Sequence, residues 1–223
     1  MSPRHIRDLV RAVERRDAVT AAHTWRVVLY ARLVAGALGA DHDFIRRFSV
    51  AAALHDVGKL DIPARILRKP GALTARERAI MQRHAPRGER RLARMGERDG
   101  LVLSLVRSHH ERWDGGGYPD GLGGEAIPEH ARYFAVVDSF DAMTGRRPYR
   151  APGPEPAARA LAELRAGAGA AYWGPAVDLF ARLCESGRLR WVLDLFDGRC
   201  PVAPFSCPGG AEALERRARR ACA

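Results

Sequence analysis

Five of the eight histidines in this 223-residue chain, His23, His55, His84, His109 and His110, fall on or at the ends of segments with helical apolar spacing. Each aligns with the apolar side of its segment. A single histidine so placed is ordinarily a hydrogen-bonded core residue. Five, with carboxylates nearby, are different, because burying that many imidazoles without partners costs several kcal/mol. Neutral imidazole and carboxylate are the usual ligands of manganese, iron and zinc, so the pattern points to a metal centre.

His55-Asp56 is the sharpest pair. Val57-Gly58 supplies a break where adjacent residues can both turn toward one point, and the two oxygens of Asp56 can bridge two ions. His109-His110 repeats the arrangement on another helix. Asp138 shares a helical face with Phe134 and Asp141, which directs a carboxylate at the core. Two carboxylates, two divalent ions and a bridging hydroxide leave a net positive charge that suits a phosphodiester anion. Ions ~3.5–4 Å apart lower the pKa of a shared water toward ~7 and stabilise an in-line displacement. The nucleophile is then hydroxide, in keeping with the lack of any evident Ser-His-Asp or Cys-His arrangement. Lys59, one of only two lysines among 37 basic residues, sits where a compact cation would hold a phosphate oxygen or orient the attacking water.

The elements that must position these groups read as helices throughout. Ile6, Leu9, Val10 and Val13 lie on one face of a first helix, and Trp25, Val28, Leu29 and Leu33 mark a second. Asp41 is placed to cap a third that reaches His55. Thr74-Ala-Arg-Glu77 matches a capping box opening a helix through Ile80, Met81 and His84. Pro86 is expected to restart a helix that Gly96 ends, and another runs from Leu101 to His110. Gly115 to Gly124 has six glycines in ten positions but neither P-loop nor dinucleotide-fingerprint spacing. A helix then runs from about Pro128 to Met143, the proline-rich stretch 148–156 is a loop, and helices occupy 157–166 and 175–186. No period-two strand pattern is present. The expectation is an all-α chain: an N-terminal helix over 1–16, a catalytic helical bundle over 17–186 and a C-terminal extension over 187–223.

His55-Asp-Val-Gly-Lys59, followed by His109-His-Glu-Arg-Trp-Asp-Gly-Gly-Gly-Tyr118-Pro119-Asp-Gly121-Leu, resembles the HD-GYP family, a branch of the HD metal-dependent phosphohydrolases. Thr20 and His23 ahead of Arg26-Val27, His84 with Gly88 and Leu92, Asp138-Ser-Phe-Asp141-Ala-Met-Thr144, and Arg147-Pro-Tyr-Arg150 extend the match over about residues 5 to 185. The resemblance implies hydrolysis of cyclic di-GMP to linear pGpG and often onward to GMP. It implies two metal ions, iron or manganese, one held by His23, His55, Asp56 and Asp138 and the other by Asp56, His84, His109 and His110. It also implies Lys59 as the catalytic lysine and Arg147 and Arg150 as phosphate contacts. Gly117, Tyr118 and Pro119 are expected to form a lip beside the active site, serving as a turn or as a surface for protein partners. Val19 stands where some relatives carry a third-metal glutamate, so the expected centre is dinuclear.

Composition bounds the rest. The N-terminal segment is rich in arginine without an apolar stretch, and no run approaches the ~18–20 residues of a membrane helix, so a cytoplasmic setting is expected. The net charge is +11, made almost entirely by arginine and without interleaved aromatic residues, which argues against dedicated nucleic-acid binding. Cys184, Cys200, Cys207 and Cys222 form no CxxC pair and read as free thiols. A homodimer is compatible with this sequence. Two other functional classes compete: an HD phosphohydrolase for another cyclic dinucleotide or a nucleotide, and a non-catalytic cyclic di-GMP-binding or adaptor module.

Overall fold

In a computed structural model, residues 1–16, 20–144 and 156–195 are described, and these form eleven α-helices with two short 3₁₀ turns. Two isolated β-bridges, Asp114 with Gly123 and Ala168 with Tyr172, stand in place of any strand among them. The all-α expectation holds. No helix of the described residues is long and apolar enough to cross a membrane.

The centre of the bundle is α2 (Thr20–Ala37), which buries Trp25, Val27, Val28, Leu29, Tyr30 and Val34, residues that point to every side of the helix. A helix apolar all round must be surrounded. On one side lies α3 (His42–Leu54), on another α8 (Glu129–Thr144), and α1 (Pro3–Arg16) adds Leu9, Val10 and Val13 to the same core. Tyr30, Phe140 of α8 and Phe180 of α10 (Gly174–Glu185) meet edge to face at centroid separations of 4.8–5.9 Å. Each such ring contributes ~1.5–3 kcal/mol through burial. α9 (Pro156–Ala166) packs on α8 through Ala160 and Leu164. The C-terminal α11 (Arg190–Leu195) and the turn before it bury Val192 and Leu189 in this core as well.

Caps fix where the site-bearing helices start. Asp41 accepts from the Phe44 amide at 2.7 Å to open α3. Thr74 and Glu77 form the expected reciprocal box at the start of α5 (Ala75–Gln82), which follows the short α4 (Ala64–Leu67). α7 (Gly100–Ser108) is capped by Asp99, whose carboxylate also accepts two 2.7 Å bonds from Arg47 of α3.

One boundary differs from expectation. α6 spans His84–Arg94, starting two residues ahead of Pro86. Pro86 has no amide hydrogen to give the Gln82 carbonyl, and its ring crowds that carbonyl, so α5 breaks at Arg83 and Pro86 falls in the first turn of the next helix. α6 then packs so tightly on the 3₁₀ turn Val57–Asp61 that a Cβ added to Gly58 would lie 1.9 Å from the His84 carbonyl oxygen.

Candidate metal centre

Three of the histidines are set by one local device. His55 follows the last turn of α3, His84 the last turn of α5 and His109 the last turn of α7. Carbonyls in the last turn of a helix lack intrahelical partners. Each ring turns back and offers Nδ1 to the carbonyl three residues earlier: His55 to Ala52 at 2.7 Å, His84 to Met81 at 2.8 Å and His109 to Val106 at 2.9 Å. That bond places the ring hydrogen on Nδ1 and leaves the Nε2 lone pair facing inward.

The inward-facing atoms meet. Nε2 of His84 lies 3.2 Å from Nε2 of His109, and Nε2 of His23 lies 3.3 Å from Nε2 of His55. Two triads result, His84 with His109 and His110, and His23 with His55 and Asp56, each with its donor atoms within 4.8 Å of one another. Asp56 spans both: Oδ2 lies 3.2 Å from His55 Nε2, and Oδ1 lies 3.5 Å from His84 Nε2. Asp138 of α8 brings Oδ1 to 3.3 Å from His23 Nε2 and 3.8 Å from His55 Nε2. All seven side chains singled out in the sequence are therefore brought together.

Their electrostatics fit a cation. With Nδ1 committed to a carbonyl, His84 and His109 point two lone pairs at each other, an arrangement that repels unless a proton or metal ion lies between. Burial, with the neighbouring imidazoles, holds His84 below its ordinary pKa, His109 well below it, and His110 at about 4, so a proton is disfavoured there. His23 goes the other way. Burial opposes its charge, but hydrogen bonds to Asp138 and Asp141 outweigh that and lift it to about 10. Asp56 and Asp138 are buried, yet Lys59 and His55 beside the first, and His23 beside the second, hold both below the usual carboxylate range. These donors, imidazole nitrogen and carboxylate oxygen, fit a divalent ion in type and convergence, and the cluster can bind metal.

Around the triads, Lys59 donates from Nζ to Asp56 Oδ2 at 2.6 Å. Tyr118 lays its ring over His110 with centroids 4.7 Å apart, and its amide donates to the His110 carbonyl. The glycine loop can follow this path because Gly117 has no side chain: a Cβ there would lie 2.4 Å from the Arg112 nitrogen. Pro119 continues the same lip. The buried Glu111 carboxylate ties down the far limb of the loop, accepting from the amides of Asp120 at 2.7 Å and Leu122 at 3.0 Å. Trp113 stacks on Trp173, with the Arg132 guanidinium 5.5 and 5.1 Å from the two rings. Arg147 and Arg150, Val19, and Cys200, Cys207 and Cys222 lie outside the described residues.

Two supporting residues had no assigned role in the sequence reading. Asp141 accepts from His23 Nδ1 at 2.7 Å and takes a two-pronged contact from Arg26, Nε at 2.5 Å and Nη2 at 2.9 Å. The available signal was spacing, since Asp141 lies one helical turn beyond Asp138 on the same face.

Comparison with known proteins agrees with this architecture. A family model described as "HD domain" matches residues 8–177. A Thermotoga maritima protein named cyclic di-GMP phosphodiesterase is 42% identical over 171 residues, covering 76% of this chain and 46% of that protein. A Vibrio cholerae protein named 3'3'-cGAMP-specific phosphodiesterase 2 is 43% identical over 146 residues, covering 65% of this chain and 28% of that protein. Among solved structures, a cyclic GMP-AMP-specific phosphodiesterase of Vibrio cholerae superposes with a TM-score of 0.60 at 18% identity, covering 82% of this chain and 51% of that one, a likeness of fold. The chain spans less than half the length of these curated relatives. With the family model spanning most of the chain and its His-Asp and Gly-Tyr-Pro segments meeting at one centre, the chain belongs to the HD domain family, in its HD-GYP branch.

Proposed function

We propose that the chain is a metal-dependent phosphodiesterase that opens cyclic di-GMP to linear pGpG. The observation that carries this reading is Asp56, one carboxylate reaching both histidine triads. In this reading His23, His55, Asp56 and Asp138 hold one ion, and Asp56, His84, His109 and His110 hold the other. Imidazole and carboxylate suit iron or manganese. Two divalent ions supply Lewis acidity, make a water nucleophilic at neutral pH and offset charge building on phosphorus.

The chain's own groups do the rest. The bonds to the carbonyls of Ala52, Met81 and Val106 keep three imidazoles aimed, and burial holds His84 and His109 low, so no proton must leave those two before catalysis. Lys59, which donates to Asp56, lies where it can hold a non-bridging phosphate oxygen. Tyr118 walls one side of the centre, its ring packed against those of His110 and His84. Arg147 and Arg150, by the family resemblance, contact the nucleotide's phosphates through their guanidinium forks. Each turnover adds one water across a P–O3′ bond, leaving a 5′-phosphate and a 3′-hydroxyl.

The test is anaerobic incubation of protein loaded with Fe(II) or Mn(II) with cyclic di-GMP, the products resolved by chromatography. Linear pGpG or GMP is expected. No product from protein shown by elemental analysis to carry two ions overturns the reading. A second reading, cyclic GMP-AMP as the substrate, is favoured by the 43% identity to the Vibrio cholerae protein of that name. Relative kcat/KM on the two dinucleotides separates them.

A further inference from the structure

Arg83, just ahead of α6, and Arg87, Arg90, Arg91 and Arg94 on its outer face line, with Asp61 and Met95, an open hollow of about 850 Å³. Their spacing keeps them on one side of the helix, opposite the buried Gly88 and Leu92, along ~16 Å of its axis. Elsewhere, Arg46 pairs with Asp43, Arg107 with Glu89 and Asp120, and Arg165 with Glu185. Among the described residues, only Arg91 of the five in the hollow has such a partner, Asp61. Arg87 donates to the Asp61 backbone carbonyl and Arg90 to the Pro86 carbonyl, which fixes their direction without neutralising them.

We propose that this hollow docks an acidic amphipathic helix of a partner protein. Like charges concentrated along one helix face are unfavourable alone and gain most from a partner with the opposite pattern. A row at helical spacing is matched along its length by glutamates at the same spacing. The Asp61–Arg91 pair is an internal example of a carboxylate seated in the row. Met95, 41% exposed at the end of the stripe, adds an apolar contact of the kind enriched with arginine at protein interfaces. No aromatic ring lines the hollow to stack a base, which disfavours single-stranded nucleic acid.

The experiment uses the full chain and three labelled probes. One is a helical peptide with glutamates at i, i+4, i+7 and i+11 beside one leucine; the others are a scrambled peptide of equal charge and a single-stranded oligonucleotide. Fluorescence anisotropy at physiological salt should give at least tenfold tighter binding to the patterned peptide than to the scrambled one. R90E/R94E should weaken that binding at least tenfold, and R90Q/R94Q, which keeps helix-compatible side chains, should weaken it in the same direction. Equal binding of the two peptides, tighter binding of the oligonucleotide, or indifference to both double variants in protein with an unchanged melting temperature overturns the proposal.

Discussion

A histidine that bonds a carbonyl in the last turn of the helix before it loses the freedom to rotate, and its second nitrogen becomes a fixed lone pair. That explains why His55, His84 and His109 converge, and why His23, on α2, needs another anchor. Asp141 is that anchor, itself held by Arg26. Asp141→Asn keeps the shape and removes the charge, so affinity for metal at the His23 triad should fall ~10–100-fold while the His84 triad keeps its ion. Metal titration followed by elemental analysis checks this, and unchanged binding of both ions removes Asp141 from the centre. The seven candidate donors were legible because their types are rare and their motifs local. The Asp141 pairing was not, because its partners His23 and Arg26 lie 118 and 115 positions away. A separate histidine sets an acid limb. His130, whose Nε2 lies 2.8 Å from Ser104 Oγ, is held at about 4 by burial and by Arg47. Unfolded, it titrates near ~6.5, so between ~6.5 and ~4 the unfolded chain binds more protons and stability falls as the pH falls. His130→Gln should flatten that part of the urea-midpoint profile. An unaltered slope would show that His130 does not contribute to it.

Helices announce themselves through period and caps, and here both were readable: Asp41 and the Thr74–Glu77 box sit where local chemistry requires. What a helix touches is written less plainly. Pro86 signalled a break without fixing it at Arg83, since the missing hydrogen bond belongs to the residue four earlier. Gly58 and Gly88 are ordinary glycines in the sequence, yet their backbones meet where α6 crosses the 3₁₀ turn carrying Lys59. In the same way, the sequence did not pair Trp113 with Trp173 across Arg132, 60 positions apart along the chain. A methyl at Gly58 would collide with backbone, which cannot rotate away. Gly58→Ala should therefore cost ~1–3 kcal/mol and, by moving Asp56 away from His84, reduce metal binding. Gly36→Ala in α2 is the counterpart: nothing lies within 4 Å of its added Cβ, and it should stabilise by ~0.5–1 kcal/mol. Chemical denaturation of both variants gives the two signs. Equal effects would mean that close approach at Gly58 does not govern the geometry.

Across the whole molecule, the candidate ligands come from both sides of the bundle. His23 and Asp138 arrive on α2 and α8, His55 and Asp56 at the end of α3, His84 at the start of α6, and His109 and His110 after α7. Packing brings these segments together around the apolar core, but it also forces the Nε2 lone pairs of His84 and His109 to 3.2 Å. Folding without cations thus works against a local repulsion that cations remove. Ligand binding to the folded state alone stabilises by about 2.7 kcal/mol at a free concentration 100 times Kd. Two ions at that excess give roughly twice this, and at ~2–4 °C per kcal/mol for a chain of this size the melting temperature should rise by ~10–20 °C on loading. Calorimetry of chelator-stripped and Mn(II)-reloaded protein measures the shift. Asp56→Ala, which removes the carboxylate shared by both triads, should lose most of it while leaving the stripped protein folded by the same core. If stripped and loaded protein melt together, the donors are held in place by packing alone and the convergence has some cause other than metal.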